Sequence, residues 1–170
     1  MIEERIVVSD SNIFFDLLSV DLLNDFFLLP CEITTTDFVI SEIIKPEQLE
    51  KLQSFIDSKK LDVINFVNDE INKIFSIFQS NDNNASIIDC SVWYYAKKVD
   101  GRLLTGDSKL RKSALADNVK VSGILYIFDN FVEYGILEKE LCAKKLEELM
   151  QKNSRLPKGE CEKRIVEWRG

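Results

Sequence analysis

Short apolar, β-branched runs recur along this chain, each followed at once by polar residues and then by a helical pattern. Arg5 to Ser9, Ile33 to Thr35, Leu61 to Phe66, Arg102 to Thr105 and Val119 to Val121 read as strands. Ser11-Asn12 opens an apolar helix through Phe14, Phe15, Leu17 and Leu18. Thr36 or Asp37 suits the N-cap of a helix carrying Phe38, Val39, Ile40, Ile43 and Ile44. Pro46 restarts a helix with Leu49, Leu52, Phe55 and Ile56 at helical spacing. Asn68 to Phe78, Asn84 to Lys98, and Ser108 to Leu115 with Ser108 as its cap continue the alternation. Gly123 onward, Glu138 to Gln151 and Pro157 to Trp168 read as helices that close the chain. Strands alternating with helices imply an α/β fold, a three-layer α/β/α sandwich with a mostly parallel central sheet and extra C-terminal helices. Residues 1–135 are expected to form the domain and residues 136–170 a helical extension packed on it, with no second domain. A chain of 170 residues is long enough to bury such a core.

Four acids punctuate this pattern. They are Asp10 in Val7-Val8-Ser9-Asp10-Ser11-Asn12, Glu42 in Val39-Ile40-Ser41-Glu42-Ile43, Asp89 in Ile87-Ile88-Asp89-Cys90-Ser91, and Asp107 in Leu103-Leu104-Thr105-Gly106-Asp107. Each follows or interrupts an apolar run, so folding carries each carboxylate to the rim of a core. In parallel sheets ligands bind beyond the carboxyl ends of the strands. Asp10 and Asp107 sit just past such ends, and Glu42 and Asp89 lie on helices able to turn toward the same rim. Like charges gathered there repel, and a divalent cation with oxygen ligands, such as Mg²⁺ or Mn²⁺, relieves the repulsion. Taken singly, each acid has a plainer reading. Asp10 and Asp89 can cap helices, Glu42 can be a solvated helix residue, and Asp107 can end a Thr-Gly-Asp turn.

Composition narrows the chemistry. The chain has no histidine, which removes Ser-His and Cys-His nucleophiles and His-ligated zinc. Cys31, Cys90, Cys142 and Cys161 are scattered without a CxxC pair and read as reduced, mostly buried thiols. A net charge of −7 argues against a simple electrostatic nucleic-acid binder. The charge is uneven, however: Lys97, Lys98, Arg102, Lys109, Arg111, Lys112 and Lys120 outnumber Asp100, Asp107 and Asp117 in their segment. No apolar run reaches the length of a membrane span, and Met1-Ile2-Glu3-Glu4-Arg5 lacks a signal-peptide pattern, so a cytoplasmic location is expected. Trp93, Tyr94 and Tyr95 point in different directions on one helix and favour packing over base stacking.

The order and flanks of the acids resemble the motifs of PIN-domain ribonucleases, of which VapC-like toxins are small members. Leu103-Leu104-Thr105-Gly106-Asp107-Ser108-Lys109-Leu110-Arg111 is the most specific piece, and the likeness runs over about residues 5 to 135. Val121-Ser122-Gly123-Ile124-Leu125 with Phe131-Val132-Glu133-Tyr134-Gly135 resembles the later part of short prokaryotic PIN proteins. The resemblance implies a PIN-like fold and an Mg²⁺- or Mn²⁺-dependent endoribonuclease. In that reading Asp10, Glu42, Asp89 and Asp107 are catalytic and hold one or two ions. Asn12 and Thr105 would support them through hydrogen bonds, and Lys109 and Arg111 would contact the RNA backbone. It further implies a cognate antitoxin protein as partner, and a homodimer. Two other readings stay open. A PIN-like scaffold that binds RNA or protein without turnover needs no catalysis from the same acids. An aspartate-dependent phosphatase of the haloacid dehalogenase type wants a second Asp two residues after Asp10, where this chain has Asn12.

Overall fold

The computed structural model describes residues 6–80 and 85–170. Arg5 and Asn84, where the expected first strand and the expected fifth helix begin, lie outside the described residues. The elements run β1 (Ile6–Ser9), α1 (Ser11–Ser19), α2 (Leu23–Phe26), β2 (Glu32–Thr36), α3 (Asp37–Ser41), α4 (Pro46–Asp57), β3 (Leu61–Ile64), α5 (Asn68–Ser80), α6 (Ile87–Lys98), β4 (Arg102–Leu104), α7 (Ser108–Ala116), β5 (Lys120–Ser122), α8 (Ile124–Glu133), α9 (Lys139–Lys152) and α10 (Lys158–Arg169).

The strands form one sheet in the order β3-β2-β1-β4-β5, and every described pairing is parallel. The fold is an α/β sandwich. Val8 pairs with Thr34 on one side and Leu103 on the other, which fixes the register of the three central strands. The chain steps outward from β1 to β3, then crosses back and steps outward again from β4 to β5. The order reverses between β1 and β4, and the crevice beyond their carboxyl ends is where such sheets bind ligands.

Local chemistry sets the helix ends. Thr36 caps α3 by accepting the Val39 N–H, and Pro46 opens α4. Ser86 and Asp89 close a reciprocal capping box on α6. At α7 the cap is Asp107 rather than the expected Ser108: the carboxylate accepts from two backbone N–H groups of the first turn. Gly135, at φ +64, ends α8. Its N–H reaches the Val132 carbonyl and that of Ile136 reaches Phe131, a turn that a left-handed glycine makes without strain. The four-residue α2 has no counterpart in the sequence expectation.

Contacts divide the chain into two compact units, Met1–Ile13 with Pro30–Ser122, and Phe14–Leu29 with Gly123–Gly170. The first holds the sheet and α3 to α7, with Ile33, Val39, Leu52, Leu61, Ile74, Val92, Leu103, Leu104 and Leu110 buried. The second packs Phe14, Phe26, Phe128 and Phe131 with Leu146, Leu149 and Trp168. Within it, Lys145 and Lys152 donate to the Val20 and Ser19 carbonyls at the carboxyl end of α1, and Asn153 donates to both oxygens of Asp16. Cys90, Cys142 and Cys161 are buried thiols outside any disulfide, and Cys31 is half-buried. Among the described residues no helix is long and apolar enough to cross a membrane.

Candidate functional site

Asp10 follows β1 directly and is 4% exposed. Its Oδ1 accepts the N–H groups of Asn12 (3.0 Å) and Ile13 (3.3 Å), so it caps α1. Its Oδ2 receives the hydroxyl of Thr105. Burial pushes the Asp10 carboxyl up to about 7. The Thr105 and backbone hydrogen bonds oppose that rise, and the charge of Asp89 adds to it.

Thr105 is buried at the carboxyl end of β4. Its oxygen also accepts the Asp107 N–H at 3.1 Å, so one hydroxyl joins the two acid-bearing turns at the point where strand order reverses. Thr105 thus bonds both acid-bearing turns, giving its hydroxyl proton to Asp10 and accepting the Asp107 N–H. Asn12 contributes its backbone N–H to Asp10, while its side chain is exposed.

Asp107 caps α7, with Oδ1 accepting from Lys109 N–H (2.8 Å) and Leu110 N–H (3.2 Å). Asp89 is the third residue of α6, and its Oδ2 accepts the Ser86 N–H at 3.3 Å. Burial raises the Asp89 pKa, the hydrogen bonds from Ser86 oppose the rise, and the charges of Asp107 and Glu42 reinforce it. Glu42 is the C-cap residue of α3, exposed, with Oε2 accepting the hydroxyl of buried Ser11 at 2.7 Å. Asp89 thus lies within electrostatic reach of Asp10, Glu42 and Asp107. Asp10, Glu42, Asp89 and Asp107 all fall inside the first unit.

The plainer readings of these acids hold as well. Three carboxylates support helix amino ends, and the hydrogen bonds made by Glu42, Asp89 and Asp107 engage one carboxylate oxygen of each. The donor set is made of hard oxygens. Cys90, beside Asp89, is buried with its thiol pushed up to about 12, so it brings no thiolate. That set suits Mg²⁺ or Mn²⁺ rather than a soft ion. Among the described residues, no three acidic or cysteine side chains stand close enough together to hold a metal ion.

The basic segment is partly neutralised. Lys97 pairs with Asp117, which also accepts the Trp93 Nε1–H, and Lys98 pairs with Glu70. Lys109, Arg111 and Lys112 are exposed on α7, and make no ion pair among the described residues. Trp93 is buried, and Tyr94 and Tyr95 pack against Phe66. Sequence reasoning singled out Thr105 but missed Ser11 and Ser86 beside the acids. Ser86 was detectable, since a serine three residues before an acid is a capping-box signature. Ser11 is adjacent to Asp10, but its bond to Glu42 spans 31 residues and leaves no local signal.

A family model described as PIN domain (DUF3368) matches residues 6–169. No curated protein matches the chain. Among the solved structures similar to it are the following two. VapBC2 from Rickettsia felis bound to a DNA fragment from their promoter is 15% identical, with TM-score 0.49, over 69% of this chain and 98% of that chain. FitAcB from Neisseria gonorrhoeae is 12% identical, with TM-score 0.46, over 71% and 99%.

Proposed function

We propose, from the premise that this chain belongs to the PIN-domain family, that it is an endoribonuclease dependent on Mg²⁺ or Mn²⁺. The observation that supports the reading most is the electrostatic coupling of Asp89 to Asp10, Glu42 and Asp107 at the rim where the sheet order reverses. An uncompensated group of acids costs stability, and a cation recovers it. Asp10, Glu42, Asp89 and Asp107 are the residues that would hold the ion. When bound, it supplies a water acidified for in-line attack on phosphorus and neutralises charge on the phosphate.

The chain's own groups prepare the site. Thr105 fixes the turns of Asp10 and Asp107 against each other, and Ser11 orients Glu42. Lys109 and Arg111 follow Asp107 on α7 and would contact the RNA backbone, positioning a phosphate without reading bases. No histidine takes part, in keeping with the composition.

The test is cleavage of labelled RNA by purified protein in Mg²⁺ or Mn²⁺. Cleavage that EDTA abolishes and excess cation restores supports the proposal. RNA bound but uncut under every cation condition favours the non-catalytic scaffold. The resemblance to VapC-like toxins extends the proposal to an antitoxin partner. Co-purification with the product of a small neighbouring reading frame, with loss of cleavage in the complex, checks that extension.

A further inference from the structure

Two buried hydroxyls join the strand that leads to Glu42 with the helix that carries Asp89. Thr36 ends β2 and caps α3, and Ser91 lies on α6 two residues beyond Asp89; both are 0% exposed. Their oxygens are 2.8 Å apart. Each hydroxyl owns one proton, which settles the direction. Ser91 donates its proton to the Ile88 carbonyl at 2.6 Å, so the proton between the two hydroxyls belongs to Thr36. Thr36 in turn accepts the Val39 N–H at 3.3 Å. A directed chain therefore runs from Val39 through Thr36 and Ser91 to Ile88. Its first member accepts the Glu42 N–H through its carbonyl at 3.0 Å, and its last precedes Asp89.

This link matters because α3 has only five residues. So short a helix does not hold its own position, and tertiary contacts must do so. On another side, the Phe66 ring braces the same two helices, 5.9 Å from Phe38 and 5.8 Å from Tyr94. Cation ligands must approach one ion to about 2.0–2.6 Å, so small shifts of α3 against α6 decide whether Glu42 and Asp89 can share it.

We propose that Thr36 and Ser91 are positioning residues that set the spacing of Glu42 and Asp89 for divalent-cation binding. This rests on the acids being a cation site. The test measures Mn²⁺ alone by calorimetric titration of metal-free full-length protein, at a temperature where circular dichroism shows each variant folded. Thr36→Val keeps the shape and removes the hydroxyl, and Ser91→Ala removes the other member. Each should weaken Mn²⁺ binding roughly tenfold, while Thr36→Ser keeps affinity within about twofold of the parent. The double variant should be no weaker than the worse single one, since both break one chain. RNA cleavage should lose kcat with KM for RNA unchanged.

Folded Ser91→Ala and Thr36→Val proteins with the parent's Mn²⁺ affinity overturn the proposal, leaving the hydroxyls a role in folding alone. If Thr36→Val does not fold, Ser91→Ala with parental affinity is sufficient to overturn it. A parent that binds no Mn²⁺ overturns the cation-site reading and this inference together. A parent whose Mn²⁺ binding is lost in Asp10→Asn but unmoved by the hydroxyl variants overturns this inference only.

Discussion

Burial, more than any neighbouring charge, governs Asp10, and its sign makes the site testable without RNA. The carboxyl sits near 7 in the fold against 3.8 when exposed. Between those values the folded protein binds more protons than the unfolded chain, so stability falls as pH rises from about 4 to about 7, then levels. Asp89 is raised in the same direction and adds to the slope. Asp10→Asn cannot ionise, and its side-chain oxygen can still accept from Asn12 and Ile13. The Asn variant should therefore gain on the parent by up to a few kcal/mol between pH 4 and pH 7 without metal. Part of that gain is offset at Thr105, whose hydroxyl loses its carboxylate acceptor. Urea unfolding at several pH values measures this. Parallel stability curves for parent and variant would contradict the burial of an ionisable Asp10. The same variant should lose RNA cleavage by roughly 10²-fold or more if Asp10 holds the ion.

At the scale of elements, α7 separates structural from chemical roles because Asp107 caps it. Asp107→Asn keeps a capping oxygen, whereas Asp107→Ala should cost about 1 kcal/mol of stability. Under the proposal both abolish cleavage, so thermal melts and cleavage assays run side by side distinguish the two roles. An Asn variant that cuts RNA at the parent's rate removes Asp107 from the mechanism. Further along the helix, Lys109→Ala with Arg111→Ala should weaken RNA binding across sequences. It should lower the log–log salt slope by about one per lost phosphate contact. An unchanged slope places the RNA path elsewhere. The element pattern was legible because strands such as Ile33 to Thr35 and caps such as Thr36 announce themselves within a few residues. α2 was not, since four residues between buried Leu22 and Phe27 carry no helical period of their own. The cap of α7 was misplaced by one residue because Asp107 and Ser108 are both good caps, and the carboxylate wins the first-turn N–H groups. The four acids could be read from the chain. The contact between Thr36 and Ser91 could not, because the two stand 55 residues apart and meet only when β2 and α6 pack.

For the whole molecule, the question is how a chain of net charge −7 answers to cations. Any cation softens general repulsion, whereas a site ion acts on four carboxylates that all fall in the unit formed by Met1–Ile13 and Pro30–Ser122. Binding to the folded state alone adds about 2.7 kcal/mol at a hundred times the dissociation constant. For a chain of this size that corresponds to roughly 5–10 °C in Tm. Mg²⁺ or Mn²⁺ should produce this rise, EDTA should reverse it, and NaCl at equal ionic strength should not reproduce it, because screening acts on all surface charges alike. Asp107→Asn should blunt the response while keeping the cap that holds α7. If the two units melt separately, the cation should move the transition of the sheet-bearing unit and leave the other in place. Equal stabilisation by NaCl, or an undiminished Mn²⁺ response in the Asp10→Asn protein, would show that the acids share no ion.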